Sequence, residues 1–142
     1  MPPSRRELEE FGVPPEWSSV VEVPSHDGAT YSWHVLQRPG TSENAPVVLC
    51  LHGNPTWSFL WSRLFHELKS DVRLIAPDHL AMGYSQNSGP RTYETRVKDI
   101  EDLLLTIRKQ AIKQGQKILH HYCRYGYHIY YGRSYSEFKI IV

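Results

Sequence analysis

The sequence has 142 residues, with 16 Lys+Arg against 15 Asp+Glu and a net charge of +1. That length suits one domain burying about 70% of its unfolded surface. No apolar run approaches the roughly 20 residues of a membrane span, and the polar start Met1-Pro2-Pro3-Ser4-Arg5-Arg6 lacks a signal-peptide core, so a cytoplasmic protein with no membrane partner is expected.

Cys50 and Cys123 make no disulfide framework, and Cys50, inside an apolar run, reads as a small core residue. The net charge hides an asymmetry. Residues 1–107 carry nine Lys+Arg against fourteen Asp+Glu, whereas residues 108–142 carry seven against one, together with six of the nine tyrosines. The chain therefore divides into residues 1–107 and a basic Tyr/His-rich tail, residues 108–142.

In chain order, residues 1–16 are proline-rich and polar, with a short helix expected at residues 5–10. Val20-Val21-Glu22-Val23 and Tyr31-Ser32-Trp33-His34-Val35-Leu36 are β-rich and flank Asp27-Gly28, which predicts an antiparallel hairpin. A polar loop at residues 39–44 leads to Val47-Val48-Leu49-Cys50-Leu51, a short buried strand. Leu60, Trp61, Leu64, Phe65 and Leu68 recur at helical spacing, with Thr56 or Ser58 available as N-cap.

A second apolar strand is expected at residues 72–76, giving a βαβ unit with a right-handed crossover. Asp78 then stands at a strand's carboxyl end, where open α/β sheets place ligands. After a loop at residues 79–91, Thr92 caps a helix with Tyr93, Val97, Ile100, Leu103, Leu104 and Ile107 on its apolar face. Beyond it, residues 128–131 and 138–142 have strand character with no clear amphipathic helix between them.

The stretch from Pro46 to Thr56 organises this pattern, because His52-Gly53-Asn54-Pro55 breaks the buried strand abruptly. Backbone N–H groups at such a tip are suited to stabilising a developing oxyanion. A plain strand-to-helix turn with no ligand would leave the same trace.

Two segments carry a resemblance: Leu51-His52-Gly53-Asn54-Pro55-Thr56-Trp57-Ser58-Phe59-Leu60-Trp61, and Arg73-Leu74-Ile75-Ala76-Pro77-Asp78-His79-Leu80-Ala81-Met82-Gly83-Tyr84-Ser85. Together they resemble the α/β-hydrolase superfamily, in its haloalkane dehalogenase-like and epoxide hydrolase-like branch, over about residues 16–107. The resemblance implies the N-terminal part of an α/β-hydrolase fold, with an antiparallel hairpin leading into a parallel sheet with flanking helices. It implies that Asn54 occupies the oxyanion and halide-stabilising position, and makes Asn54–Pro55 a candidate cis peptide. His52 and Gly53 would shape the turn, and Asp78 would organise the loop to Ser85, in which Ala81 replaces the family's first Gly. Trp57, where many dehalogenases have a small residue, leaves the substrate class open.

The family mechanism needs a nucleophile elbow, an acid and a histidine further along. Residues 108–117 hold no elbow. The nearest match is Gly132-Arg133-Ser134-Tyr135-Ser136, which makes Ser134 the candidate nucleophile although Ser136 stands where a second Gly belongs. The expected function is therefore a hydrolase of a carbon–halogen, epoxide or ester bond in a small-molecule substrate, present as a truncated piece that is inactive alone. No cofactor is implied.

The alternatives are a non-catalytic interaction product, or nucleic-acid binding through the basic aromatic run at residues 124–133. No RNA-binding fold surrounds that run, so nucleic acid is not an expected partner. His120, His121, Cys123 and His128 are metal-ligand types without a zinc spacing, so no metal is expected. Self-association through an exposed sheet edge is expected.

Overall fold

The computed structural model describes residues 2–42, 45–113 and 139–141, the last three by their backbone alone. Helix α1, Arg5–Glu10, begins with a reciprocal capping box: Ser4 accepts from the Glu7 N–H, and the Glu7 carboxylate accepts from the Ser4 N–H. Strands β1, Ser18–Pro24, and β2, Thr30–Arg38, form the expected antiparallel hairpin, in register from Ser18 opposite Leu36 to Pro24 opposite Thr30. Its turn uses Gly28 at φ 86°, and the Asp27 carboxylate accepts the Ala29 N–H at 3.0 Å.

Strands β3, Val47–Cys50, and β4, Arg73–Pro77, are parallel neighbours, as the βαβ reading requires. The hairpin joins them through β2, which runs antiparallel to β4, and β5, Lys139–Ile141, lies parallel along the other side of β3. The order is β1-β2-β4-β3-β5, so among the described residues β1 and β5 are the edges. The possible strand at residues 128–131 lies outside the described residues.

Alternation along β3 sorts the core into two layers. Val47 and Leu49 face one cluster with Val21, Trp33, Val35 and Ile75, covered by Ile100, Leu103 and Ile107 of helix α3, Tyr93–Lys113. Val48 and Cys50 face the other, with Leu36, Leu74 and Ala76, covered by Leu8, Val13 and Phe65. Cys50 is fully buried, as expected, and burial pushes its thiol up to about 12, which leaves it inert.

Three expectations are corrected. The helix after the β3 turn is not one element: a 3-10 turn, Ser58–Trp61, passes into a short helix α2, Ser62–Glu67. Neither Thr56 nor Ser58 caps it with a side chain; Asp78, at the end of β4, accepts the Ser58 N–H instead. On α3, Thr92 does cap by accepting the Thr95 N–H at 3.2 Å, but Tyr93 is 66% exposed and the buried stripe starts at Asp99 and Ile100. The first turn of α3 contributes nothing to the buried stripe.

Candidate functional site

The carboxyl ends of β3 and β4 lie side by side, and both chains turn there. After Cys50, Leu51 and His52 remain buried, whereas Gly53, Asn54 and Pro55 emerge to the surface. The Asn54–Pro55 bond is cis, as the sequence resemblance implied. Among the described residues, nothing hydrogen-bonds to the backbone or side-chain amide of Asn54, so both kinds of N–H donor stand at the exposed tip.

Two imidazoles brace the turn from below. The His79 backbone N–H donates to His52 Nε2 at 2.9 Å, so that nitrogen is the acceptor and Nδ1 carries the proton, donated to the Gly53 carbonyl at 2.7 Å. The His79 ring returns a bond from Nε2 to the His52 carbonyl at 3.1 Å, with the two rings 4.5 Å apart. Burial lowers both imidazoles, and for His79 the neighbouring His52 and Arg96 add to it and bring the value to about 4. Both rings are therefore neutral at pH 7, as their shared hydrogen bonds demand.

Asp78 is the hub of the network. Fully buried, its carboxylate accepts the Ser58 N–H at 2.7 Å, the Tyr84 N–H at 2.8 Å and the His34 Nδ1–H at 2.9 Å. Burial alone would raise this carboxyl, but His34 and the two main-chain donors outweigh it and hold it below its ordinary value. Its own carbonyl accepts the Ser85 hydroxyl at 2.7 Å, and Ser85 Oγ accepts the His34 N–H at 2.9 Å. One carboxylate thus ties the Asn54 loop, strand β2 and the 79–85 loop together.

Gly83 makes this possible. It sits at φ 53°, and a Cβ there would run into the Asp78 carboxylate and within 2.9 Å of the Trp57 Cβ. Ala81, in the place of the family's first Gly, adopts φ 64° in the same loop. Trp57 packs in an aromatic cluster, with Phe11 at 5.1 Å, Tyr84 at 5.1 Å and Phe59 at 5.5 Å.

The structure brings Asn54 and Asp78 to one end of the sheet, while Ser134 lies outside the described residues. Among the described residues, no group of three or more His, Cys, Asp or Glu is arranged to hold a metal. The sequence reading missed His34 and Arg38. The fully buried His34 had a usable signal, since it is a polar residue amid the apolar positions of β2, the strand that pairs with β4, which ends at an aspartate. The Arg38 guanidinium donates to the carbonyls of Phe65, Leu68, Lys69 and Val72, closing the end of α2, a role no local pattern announces.

The family model described as alpha/beta hydrolase fold matches residues 46–120. The chain belongs to the alpha/beta hydrolase fold family. Within that family its similarity runs to the haloalkane dehalogenase-like branch. It is 42% identical over 67 residues to a cis-3-alkyl-4-alkyloxetan-2-one decarboxylase of Xanthomonas campestris pv. campestris, covering 41% of this chain and 22% of that protein. To haloalkane dehalogenase 2 of Mycobacterium tuberculosis it is 43% identical over 49 residues, covering 34% of this chain and 17% of that one.

Among solved structures, the haloalkane dehalogenase DatA of Agrobacterium tumefaciens superposes with a TM-score of 0.52 at 19% identity, over 72% of this chain and 39% of that one, a likeness of fold. This member of the family spans less than a third of the length of the curated relatives it matches, at 22% and 30% of the first two. Among the described residues, no helix is long and apolar enough to cross a membrane.

Proposed function

We propose that the chain carries the oxyanion half of an alpha/beta hydrolase site for nucleophilic hydrolysis of a carbon–halogen, epoxide or ester bond in a small molecule. Asn54 is the oxyanion and halide-stabilising residue. The observation that carries this reading is the position of Asn54 at the carboxyl end of the β3–β4 parallel pair, exposed, while Asp78, His52 and His79 fix the backbone on either side. Donors held in place before charge develops lower the barrier without reorganisation. The Asn54 side-chain amide adds a second kind of donor able to face a departing anion.

A nucleophile elbow, its acid partner and a histidine base complete such a site in the family. Residues 1–142 contain no Gly-x-Asp-x-Gly or Gly-x-Ser-x-Gly elbow, so the chain by itself binds without turning over. Halide release from a bromoalkane, and hydrolysis of an aryl ester beyond one equivalent per chain, measured side by side on the purified chain, should stay at the buffer rate. Turnover abolished by Ser134→Ala would place the nucleophile in this chain and overturn that part of the reading.

A second reading has a specific support, the 42% identity to an oxetanone decarboxylase. There the same Asn54 donors would serve a four-membered lactone instead of a haloalkane. Saturable shifts of the Asn54 amides on titration with a cis-3-alkyl-4-alkyloxetan-2-one, and none with the bromoalkane, select it.

A further inference from the structure

The β1–β2 hairpin carries an arrangement that the Asn54 reading does not use. Ser18 Oγ lies 2.9 Å from His34 Nε2, and His34 Nδ1 lies 2.9 Å from Asp78 Oδ2. The ionised carboxylate only accepts, so the proton between them belongs to Nδ1. With that proton on Nδ1, the tautomer that leaves Nε2 bare accepts the Ser18 hydroxyl there.

A hydroxyl within reach of a base that is itself oriented by a third group is the geometry of an activated nucleophile, recognised by roles and not by chain position. The base is held firmly. Besides Asp78, the His34 N–H is bound to Ser85 Oγ at 2.9 Å and its carbonyl to the Asp78 N–H at 2.9 Å, and Tyr84 packs on the ring at 5.6 Å.

Access differs between the partners in the sense such a device requires. His34 and Asp78 are fully buried, whereas Ser18 is half-buried on β1, an edge strand. Side chains two apart on a strand share a face, and Val20, on the face of Ser18, is 45% exposed. Ser18 therefore lies on an outer strand of the described sheet, more exposed than the base behind it.

We propose that Ser18 is a nucleophile activated by His34, which takes the acyl group of an activated ester approaching over the edge of β1. In the acyl-transfer step the Ser18 Oγ–carbon bond forms while the ester carbon–oxygen bond breaks. The phenolate leaves with that electron pair, and the hydroxyl proton passes to His34 Nε2. Asp78 stabilises the resulting imidazolium and keeps its own charge. The site shares Asp78 with the Asn54 loop but does not depend on Asn54's proposed role.

Incubation of the intact chain with p-nitrophenyl acetate, followed by peptide mass spectrometry, tests the assignment. Ser18 should be acetylated on the order of a hundredfold faster than the exposed Ser70, the scale of positioned general-base assistance. His34→Gln should bring Ser18 down to the rate of Ser70. Acetylation of Ser18 no faster than Ser70 in the wild-type chain, or an adduct confined to another residue such as Ser134, overturns the proposal. This ratio is read on the wild type, so it decides even where the His34 variant does not fold.

Discussion

Asp78 and Ser58 lie 20 residues apart, yet the Asp78 carboxylate accepts the Ser58 N–H at 2.7 Å and so starts the turn that Ser58 itself does not cap. The same carboxylate accepts from Tyr84 and His34. Removing its charge leaves three donors, two of them buried, facing a poorer or reversed partner. Asp78→Asn is expected to cost about 3 kcal/mol in urea denaturation, the scale for breaking a buried charged partnership. A loss below about 1 kcal/mol would show that the hub contributes little.

The loop that wraps this carboxylate makes a paired prediction. Ala81 at φ 64° carries the left-handed penalty of a Cβ, which glycine lacks. Ala81→Gly should stabilise the chain by about 1 kcal/mol, read from the same denaturation midpoint. Gly83→Ala should do the opposite, because its new methyl meets the Asp78 carboxylate at φ 53°. Equal effects of the two changes would contradict the loop geometry.

Acid should loosen the tip through His79. Its folded value of about 4 lies below the ordinary 6.5, so the unfolded chain binds the proton more readily. The stability this confers is fully present above pH 6.5 and is lost progressively as pH falls toward about 4. A series of thermal melts across that window should show a falling Tm, with a shallower slope in His79→Gln. Parallel slopes would remove His79 as the cause.

Asp99 behaves in the opposite sense. Its side chain is 2% exposed, and among the described residues neither carboxylate oxygen has a hydrogen bond, with Arg91 Nε at 3.6 Å and His26 Nδ1 at 3.9 Å. Burial raises its carboxyl, outweighing the attraction of Arg91 and His26. Its contribution is favourable below its unfolded value and is lost as pH rises through the folded one. Asp99→Asn should therefore raise the Tm at pH 7 by a few degrees, the scale of about 1 kcal/mol in a chain this size. The gain should shrink as pH falls toward 4, and an unchanged gain at both pH values would contradict it.

Strand β3 was legible because five apolar residues end in Gly and Pro, and the hairpin because alternation flanks Asp27-Gly28. Local pattern also located the Asn54 tip, since a turn motif lies within a few consecutive residues. Asp78 stood out as a strand-end acid, but its partners Ser58 and His34 did not, because they come from segments 20 and 44 positions away. Arg38 and Asp99 were invisible for a related reason: each is a charged residue whose burial is decided by elements distant in sequence. Tyr93 misled because helical periodicity gives the apolar direction without telling which turns of the helix are covered.

The central claim is that the Asn54 tip is built to stabilise an anion. An amide-resolved NMR titration of the chain with sodium bromide, against sodium sulfate at matched ionic strength, tests it most directly. The account predicts saturable bromide shifts of the Asn54 backbone and side-chain amides, with the Ser58 and Tyr84 amides, already bound to Asp78, little affected. Shifts absent at Asn54, or no larger there than at other exposed amides, would contradict it.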